Sequence, residues 1–83
     1  MTVRAGEGTI ELSARCTLED AEELRRHLSA TPGSTVEWSR CEHLHCAVVQ
    51  VLMAARPRLR GTPRSEFLDI HIRPLIASTP EAS

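Results

Sequence analysis

Hydrophobic and polar residues alternate in residues 9–13, where Ile10 and Leu12 share one face. A period of two residues is that of a half-buried β-strand. Val3–Ala5 predicts a further short strand at the edge of a sheet. The two glycines of residues 6–8 favour a tight turn, because glycine adopts positive φ angles without steric cost. The two segments are therefore expected to form a hairpin.

The period changes to that of a helix after residue 17. Thr17 is expected to cap the first turn, because its side chain can accept hydrogen bonds from free backbone N–H groups. Pro32 and Gly33 are expected to end the helix. Glu22 and Arg26 lie four residues apart and are expected to pair on the outer surface. The apolar stripe that faces the core comprises Ala21, Leu24 and Leu28.

A second buried strand is predicted at residues 35–39, with Val36 and Trp38 on the same face. Residues 40–46 follow it and carry most of the side chains capable of site chemistry. Because they are mainly polar, they predict a loop, in which Leu44 is the apolar anchor. The loop is expected to stay open to other molecules.

Residues 46–56 predict a helix that is apolar around most of its circumference. Such a helix must be covered on more than one side. Val49 and Met53 lie outside its inner stripe, so either the first and last helices or a partner molecule has to cover them. The inner stripe comprises Val48, Val51, Leu52 and Ala55.

The C-terminal part predicts a short strand and a final helix. Arg58–Arg60 can form a strand of at most three residues. Ser65 is expected to cap a helix that ends near Arg73, because Pro74 would disrupt a helix continuing through it. The segment also alternates in polarity, so a strand within residues 65–76 stays an alternative. The shared face of the helix comprises Phe67, Ile70 and His71.

The order of these elements predicts one α/β domain, with a small mixed sheet of about four strands covered by two to three helices. The domain is expected to span residues 1–76. Residues 77–83 are small and polar, which predicts a frayed tail.

Composition excludes some functions and places the protein in a compartment. The 83 residues carry a net charge of −1, which argues against a nucleic-acid partner. No stretch approaches the roughly 20 apolar residues of a membrane span, and the N-terminus has no signal-peptide pattern, so we expect a cytoplasmic protein. The three cysteines are too few for a disulfide framework and are expected to be free thiols. No cofactor is expected.

Residues 36–52, VEWSRCEHLHCAVVQVL, resemble the central segment of STAS domains, a family named for sulfate transporters and anti-sigma-factor antagonists. Glu37-Trp38-Ser39 stands where the family has Asp-Leu-Ser. His45-Cys46-Ala47-Val48 stands where it has Asp-Ser-Ser-Gly. In the antagonists the first serine of that run is phosphorylated by a partner kinase, and a serine kinase cannot use Cys46 in the same way. The resemblance therefore implies the scaffold without the phosphoswitch.

The resemblance implies a non-catalytic regulatory module that docks a protein partner, such as a kinase, an anti-sigma factor or a chemotaxis-type complex. No Gly-rich phosphate loop or nucleophile-elbow pattern points to an enzyme. Docking is expected through the 40–46 loop and the helix after it. A second copy of the chain is another candidate partner. The residues expected to contact the partner are Arg40, His43, His45, Cys46, Val49 and Met53.

A small zinc-binding or thiol-redox protein is the alternative. Thiolate and imidazole are zinc ligands, although zinc sites usually draw their ligand pairs from separate turns. Cys46 is the candidate redox residue, because it begins the predicted helix, a position at which reactive thiols are found. The same helix start, with its free N–H groups, is also a candidate anion site. The residues of the zinc alternative are Cys41, His43, His45 and Cys46.

Overall fold

The computed structural model describes residues 2–77. In chain order the elements are β1 (Val3–Ala5), β2 (Thr9–Cys16), α1 (Leu18–Ala30), β3 (Thr35–Leu44), α2 (Cys46–Ala55), β4 (Arg58–Arg60), a π-helical segment (Leu68–Ile72) and α3 (Arg73–Ala77). Glu66 and Phe67 are also helical, so residues 66–77 form one continuous C-terminal helix.

The four strands form one mixed sheet in the order β1-β2-β3-β4. β1 and β2 are antiparallel and form the predicted hairpin, while β2, β3 and β4 run parallel. α1 packs on β1, β2 and α2, and α2 also packs on β3 and α3. The predicted α/β domain, with its mixed sheet and its covering helices, is confirmed.

One face of the sheet holds the core and the other carries polar residues. Ile10, Leu12, Val36 and Trp38 are each at most 2% exposed. On the opposite face, the pairing register aligns one charged residue from every strand in a row across the sheet. The row comprises Arg4, Glu11, Glu37 and Arg60. This polar face is consistent with helices packing on one side only.

The predicted loop at residues 40–46 is wrong, because β3 continues to Leu44. Ten residues of β3 lie beside eight of β2, and the register shifts twice. Each shift adds one residue to β3 and forms a β-bulge, which interrupts the alternation of buried and exposed positions. Trp38, Cys41 and Leu44 are therefore buried at intervals of three residues, and the two pairs of residues between them are exposed. A strict period of two could not detect such a strand.

The predicted start of α1 is confirmed, and its predicted surface pair is wrong. Thr17 takes the N-cap position, and its backbone N–H donates to Asp20 Oδ2 over 2.7 Å, which is one half of a capping box. Glu22 pairs with Arg25, three residues on, instead of Arg26. Both spacings bring side chains together on a helix surface, so sequence alone could not choose between them.

The C-terminal helix departs from the prediction in its end and in its buried face. It runs through Pro74 to Ala77. Before the proline it widens to a π-helix, in which Arg73 N donates to Leu68 O, five residues back. A wider turn accommodates a residue that has no N–H to donate. The residues predicted to share its inner face, Phe67, Ile70 and His71, are exposed, and the face that packs inward comprises Leu68, Ile72 and Ile76.

Trp38 and Arg73 attach this helix to the sheet through a single carbonyl. Trp38 Nε1 and Arg73 Nη2 both donate to Gly61 O over 3.0 Å. The Arg73 guanidinium also lies 5.4 Å from the centre of the Trp38 ring, a contact typically worth about 0.5–2 kcal/mol. Asp69 Oδ1 accepts from Arg73 Nε over 2.8 Å and orients the guanidinium. The loop after β4 thus fixes the C-terminal helix.

Within residues 2–77, no helix has both the length and the apolar character needed to cross a membrane. The predicted boundary at residue 76 lies one residue before the end of α3, which includes Ala77. The rest of the predicted tail, residues 78–83, lies outside the described residues.

Gly61→Ala is expected to destabilise the fold by about 2 kcal/mol or more. Gly61 has a φ of +88°, and an added Cβ would overlap Ser39 Oγ and Glu37 Oε2. The measurement is urea-induced unfolding. Gly6→Ala is the matched control, because Gly6 has no positive φ. A Cβ added at Gly6 would lie 3.8 Å from Thr9 O, which is an ordinary contact distance. Equal losses in the two variants would contradict the assigned geometry.

Candidate functional site

The junction of β3 and α2 exposes a group of polar side chains. Because β3 runs to Leu44, only His45 separates it from α2. The bulges of β3 leave Arg40 and His43 on the outside, and His45 and Cys46 follow them to the surface. We call these four exposed residues, Arg40, His43, His45 and Cys46, the junction surface. The sequence predicted all four as partner-contacting residues, and the structure exposes all four, two on β3 and two at the start of α2.

His45 also serves the fold, because it caps α2. Its Nδ1 accepts a hydrogen bond from Ala47 N over 3.0 Å, and its carbonyl accepts from Val48 N and Val49 N. The ring is therefore the tautomer with its proton on Nε2. Since the amides of Ala47, Val48 and Val49 already have partners, few N–H groups of the first turn are left to bind an anion at the predicted site. A variant that tests His45 as a contact residue must therefore keep the capping hydrogen bond to Ala47 N and change only the exposed part of the ring.

The three cysteines have different environments. Cys46 is exposed, whereas Cys16 and Cys41 are at most 1% exposed in the core; all three are free thiols. A hydrogen bond with the Cys41 sulfur, together with burial, raises the pKa of the Cys16 thiol. Cys16 therefore stays protonated and packs as a small apolar group. Cys46, the candidate redox residue, has no second exposed cysteine to pair with among residues 2–77.

The structure does not assemble the ligands of the zinc alternative. Cys41 is buried and its Sγ donates to His43 O over 3.7 Å, while Cys46 and both histidines are on the surface. In the part of the chain that the structure describes, no three His, Cys, Asp or Glu side chains come close enough to hold a metal ion. The geometry therefore does not favour a zinc site at residues 41–46.

Val49 and Met53, the two contact residues predicted on α2, have different exposures. Val49 is half-buried against the core, so the chain itself covers much of it. Met53 is 37% exposed. Both lie on the flank of α2 that faces away from α1, since the residues of α2 that face α1 are others.

The C-terminal helix adds exposed apolar side chains, of which Phe67 and Ile70 were predicted to lie on its inner face. Phe67, Ile70 and Leu75 are between 47% and 61% exposed. Phe67 and His71 stack at a centroid distance of 5.2 Å on the same outer side. Since α2 and α3 pack against each other, Met53 belongs to the same layer of helices. We call Met53, Phe67, Ile70 and Leu75 the exposed apolar set. The spacing of Leu68, Ile72 and Ile76 could have identified the inner face if Pro74 had not suggested an early end.

Glu37 and Ser39 form a separate polar cluster on the open face of the sheet. Glu37 accepts hydrogen bonds from Ser39 N, from the Ser39 hydroxyl and, over 2.8 Å, from Arg60 Nε. These bonds hold the pKa of the Glu37 carboxyl below its usual value, with the Ser39 hydroxyl as the largest cause. The cluster stays ionised at neutral pH. Its groups bond one another, which indicates a structural role.

A groove that the sequence did not reveal runs between α1 and α2. It has a volume of about 770 Å³ and a mainly apolar floor. Leu18 stands at one end and is 60% exposed. Its other apolar residues are Ala21, Leu28, Ala47, Val51, Ala54 and Ala55. We call it the α1–α2 groove. It lies on the opposite flank of α2 from Met53.

His45→Ala is expected to lower the free energy of unfolding by about 1 kcal/mol, because Ala47 N loses its acceptor. His45→Asn keeps an acceptor at the N-cap and is expected to lose much less. Chemical denaturation of the two variants beside the wild type measures the difference. Equal stability of the Ala and Asn variants would show that the ring does not cap α2.

A scan against protein-family models gives no match for this chain, and searches of curated proteins and of solved structures give none either. The resemblance of residues 36–52 to STAS domains therefore stays a prediction from sequence.

Proposed function

We propose that this protein is a non-catalytic regulatory module of STAS-like design that docks a protein partner in a cytoplasmic signalling complex. The docking surface combines the junction surface with the exposed apolar set. One observation carries the proposal: among residues 2–77, four of the five exposed large apolar side chains lie on α2 and the C-terminal helix. Clustered apolar exposure on a small domain marks an interaction site more often than scattered single residues do.

The composition of this surface matches the anatomy of a protein–protein interface. Interfaces have an apolar centre with aromatic and methionine side chains, and a polar rim in which arginine is frequent. Phe67 and Met53 supply side chains of the first kind, and Arg40 and His43 of the second. Both groups are carried by regular elements, β3, α2 and the C-terminal helix, so little order has to be gained on binding.

The residue at the start of α2 bears on how partner binding would be regulated. Cys46 is exposed at the first position of α2, where the family resemblance expects a phosphorylated serine. A thiol there cannot accept a phosphoryl group from a serine kinase as a hydroxyl does. The proposed module therefore docks its partner without a phosphorylation switch at this position. The fraction of the module bound to its partner would then depend on the concentrations of the two proteins.

Met53→Glu and Leu75→Glu are each expected to reduce partner capture by about tenfold or more, because each places a charge in the apolar centre of the contact. Tagged wild type and variants, first shown to be folded by circular dichroism, are compared by affinity purification and quantitative mass spectrometry from the source cells. Arg26→Glu is the control, because Arg26 is exposed on α1 and belongs neither to the docking surface nor to the lining of the α1–α2 groove. It introduces the same carboxylate away from both.

The proposed surface is wrong if Met53→Glu and Leu75→Glu capture the same proteins as the wild type. It is equally wrong if Arg26→Glu alone loses the partner. His45→Asn, which keeps the helix cap, then tests the junction surface in the same assay.

A further inference from the structure

The α1–α2 groove is open at the surface, and its two ends carry opposite charges. Glu19 and Glu22 line the end near the helix N-termini, and Glu22 is paired with Arg25. At the other end the groove continues into a second hollow of about 560 Å³, which shares Leu28 and Ala55 with it. That hollow is lined by Arg56 and Arg58. The groove thus changes from an acidic end to a basic end.

The ends also differ in shape. At the acidic end Leu18 projects from the first turn of α1 and is 60% exposed. At the basic end the wall of the groove is built from small residues, Ala54 and Ala55, both exposed. One end therefore offers a large apolar side chain, and the other offers a shallow depression with room for one.

The difference in charge and the difference in shape run in the same direction along the groove. Together they make the surface self-complementary. A twofold axis through the middle of the groove, near Arg25 and Val51, would bring the acidic end of one copy onto the basic end of the other. Leu18 of each copy would then meet the alanines of the other, and Glu19 would meet Arg58. An isologous contact requires this kind of self-complementary patch.

We propose that the α1–α2 groove is the interface of a homodimer, formed by two copies of the chain with their helices antiparallel across the twofold axis. The proposal goes beyond the docking function, because it uses the other flank of α2. It leaves the junction surface and the exposed apolar set free in both copies. A domain of this size buries a smaller fraction of its surface than a larger domain does, and pairing covers apolar area that the monomer exposes. The dimer would present two partner-docking surfaces.

The test is a charge exchange, read by sedimentation velocity over a range of protein concentrations at low ionic strength. Glu19→Arg and Arg58→Glu are each expected to weaken the dimer by at least about tenfold, because each places like charges opposite one another at both symmetric contacts. An equimolar mixture of the two variants restores both opposite-charge contacts. The mixture is therefore expected to form a heterodimer of wild-type affinity, although neither variant dimerises well alone.

Two further variants locate the interface. Ala54→Glu is exposed in the wall of the groove and is expected to give a folded monomer. Met53→Glu, on the opposite flank of α2, is expected to leave the dimer intact while it impairs partner capture. The two variants therefore test the proposed dimer and the proposed docking function separately.

The proposal is overturned if the wild-type chain stays monomeric at concentrations of hundreds of micromolar, which would leave the groove to a helix of another protein. It is also overturned if Ala54→Glu remains a dimer, or if the mixed variants associate no better than each variant alone.

Discussion

The pairing of β3 with β2 is the constraint on which the site depends. The two additional residues of β3 are absorbed as bulges, one after Glu37 and one after Cys41. Beside the second bulge, Ala14 of β2 has a φ of 56°, a left-handed conformation that costs a non-glycine residue roughly 1–2 kcal/mol. The strand that results buries Trp38, Cys41 and Leu44 on one side. It presents Arg40 and His43 on the other and leads directly into α2.

Trp38 connects this strand to the C-terminal helix. Its indole N–H and the Arg73 guanidinium share Gly61 O, and the guanidinium also lies over the ring. The helix is thereby held in the orientation that buries Leu68 and Ile76 and turns Phe67 and Ile70 outward. The exposed apolar side chains are thus a consequence of a fixed helix. Together with the two flanks of α2, they separate the side proposed to dock a partner from the groove proposed to bind a second copy.

Much of the fold could be predicted because its periods are regular. The hairpin of β1 and β2, the capped α1, the apolar α2 and the short β4 all follow from local pattern and turn chemistry. The four contact residues predicted within residues 40–46 are all exposed, although two of them, Arg40 and His43, lie on β3 and not on the predicted loop. What failed depends on tertiary structure: bulges abolish the period of two in β3, and the π-turn lets a helix pass Pro74. The α1–α2 groove lies between two elements, and no single segment encodes it.

The central claim is that residues 40–44 form an ordered strand and not a loop. Amide hydrogen exchange followed by NMR tests it most directly. His45 N donates to Cys16 O over 3.0 Å, at the far end of the β2–β3 pairing. The account predicts that this amide and the paired amides of 40–44 exchange as slowly as those of residues 35–38. Exchange as fast as in the turn at residues 6–8 would contradict it.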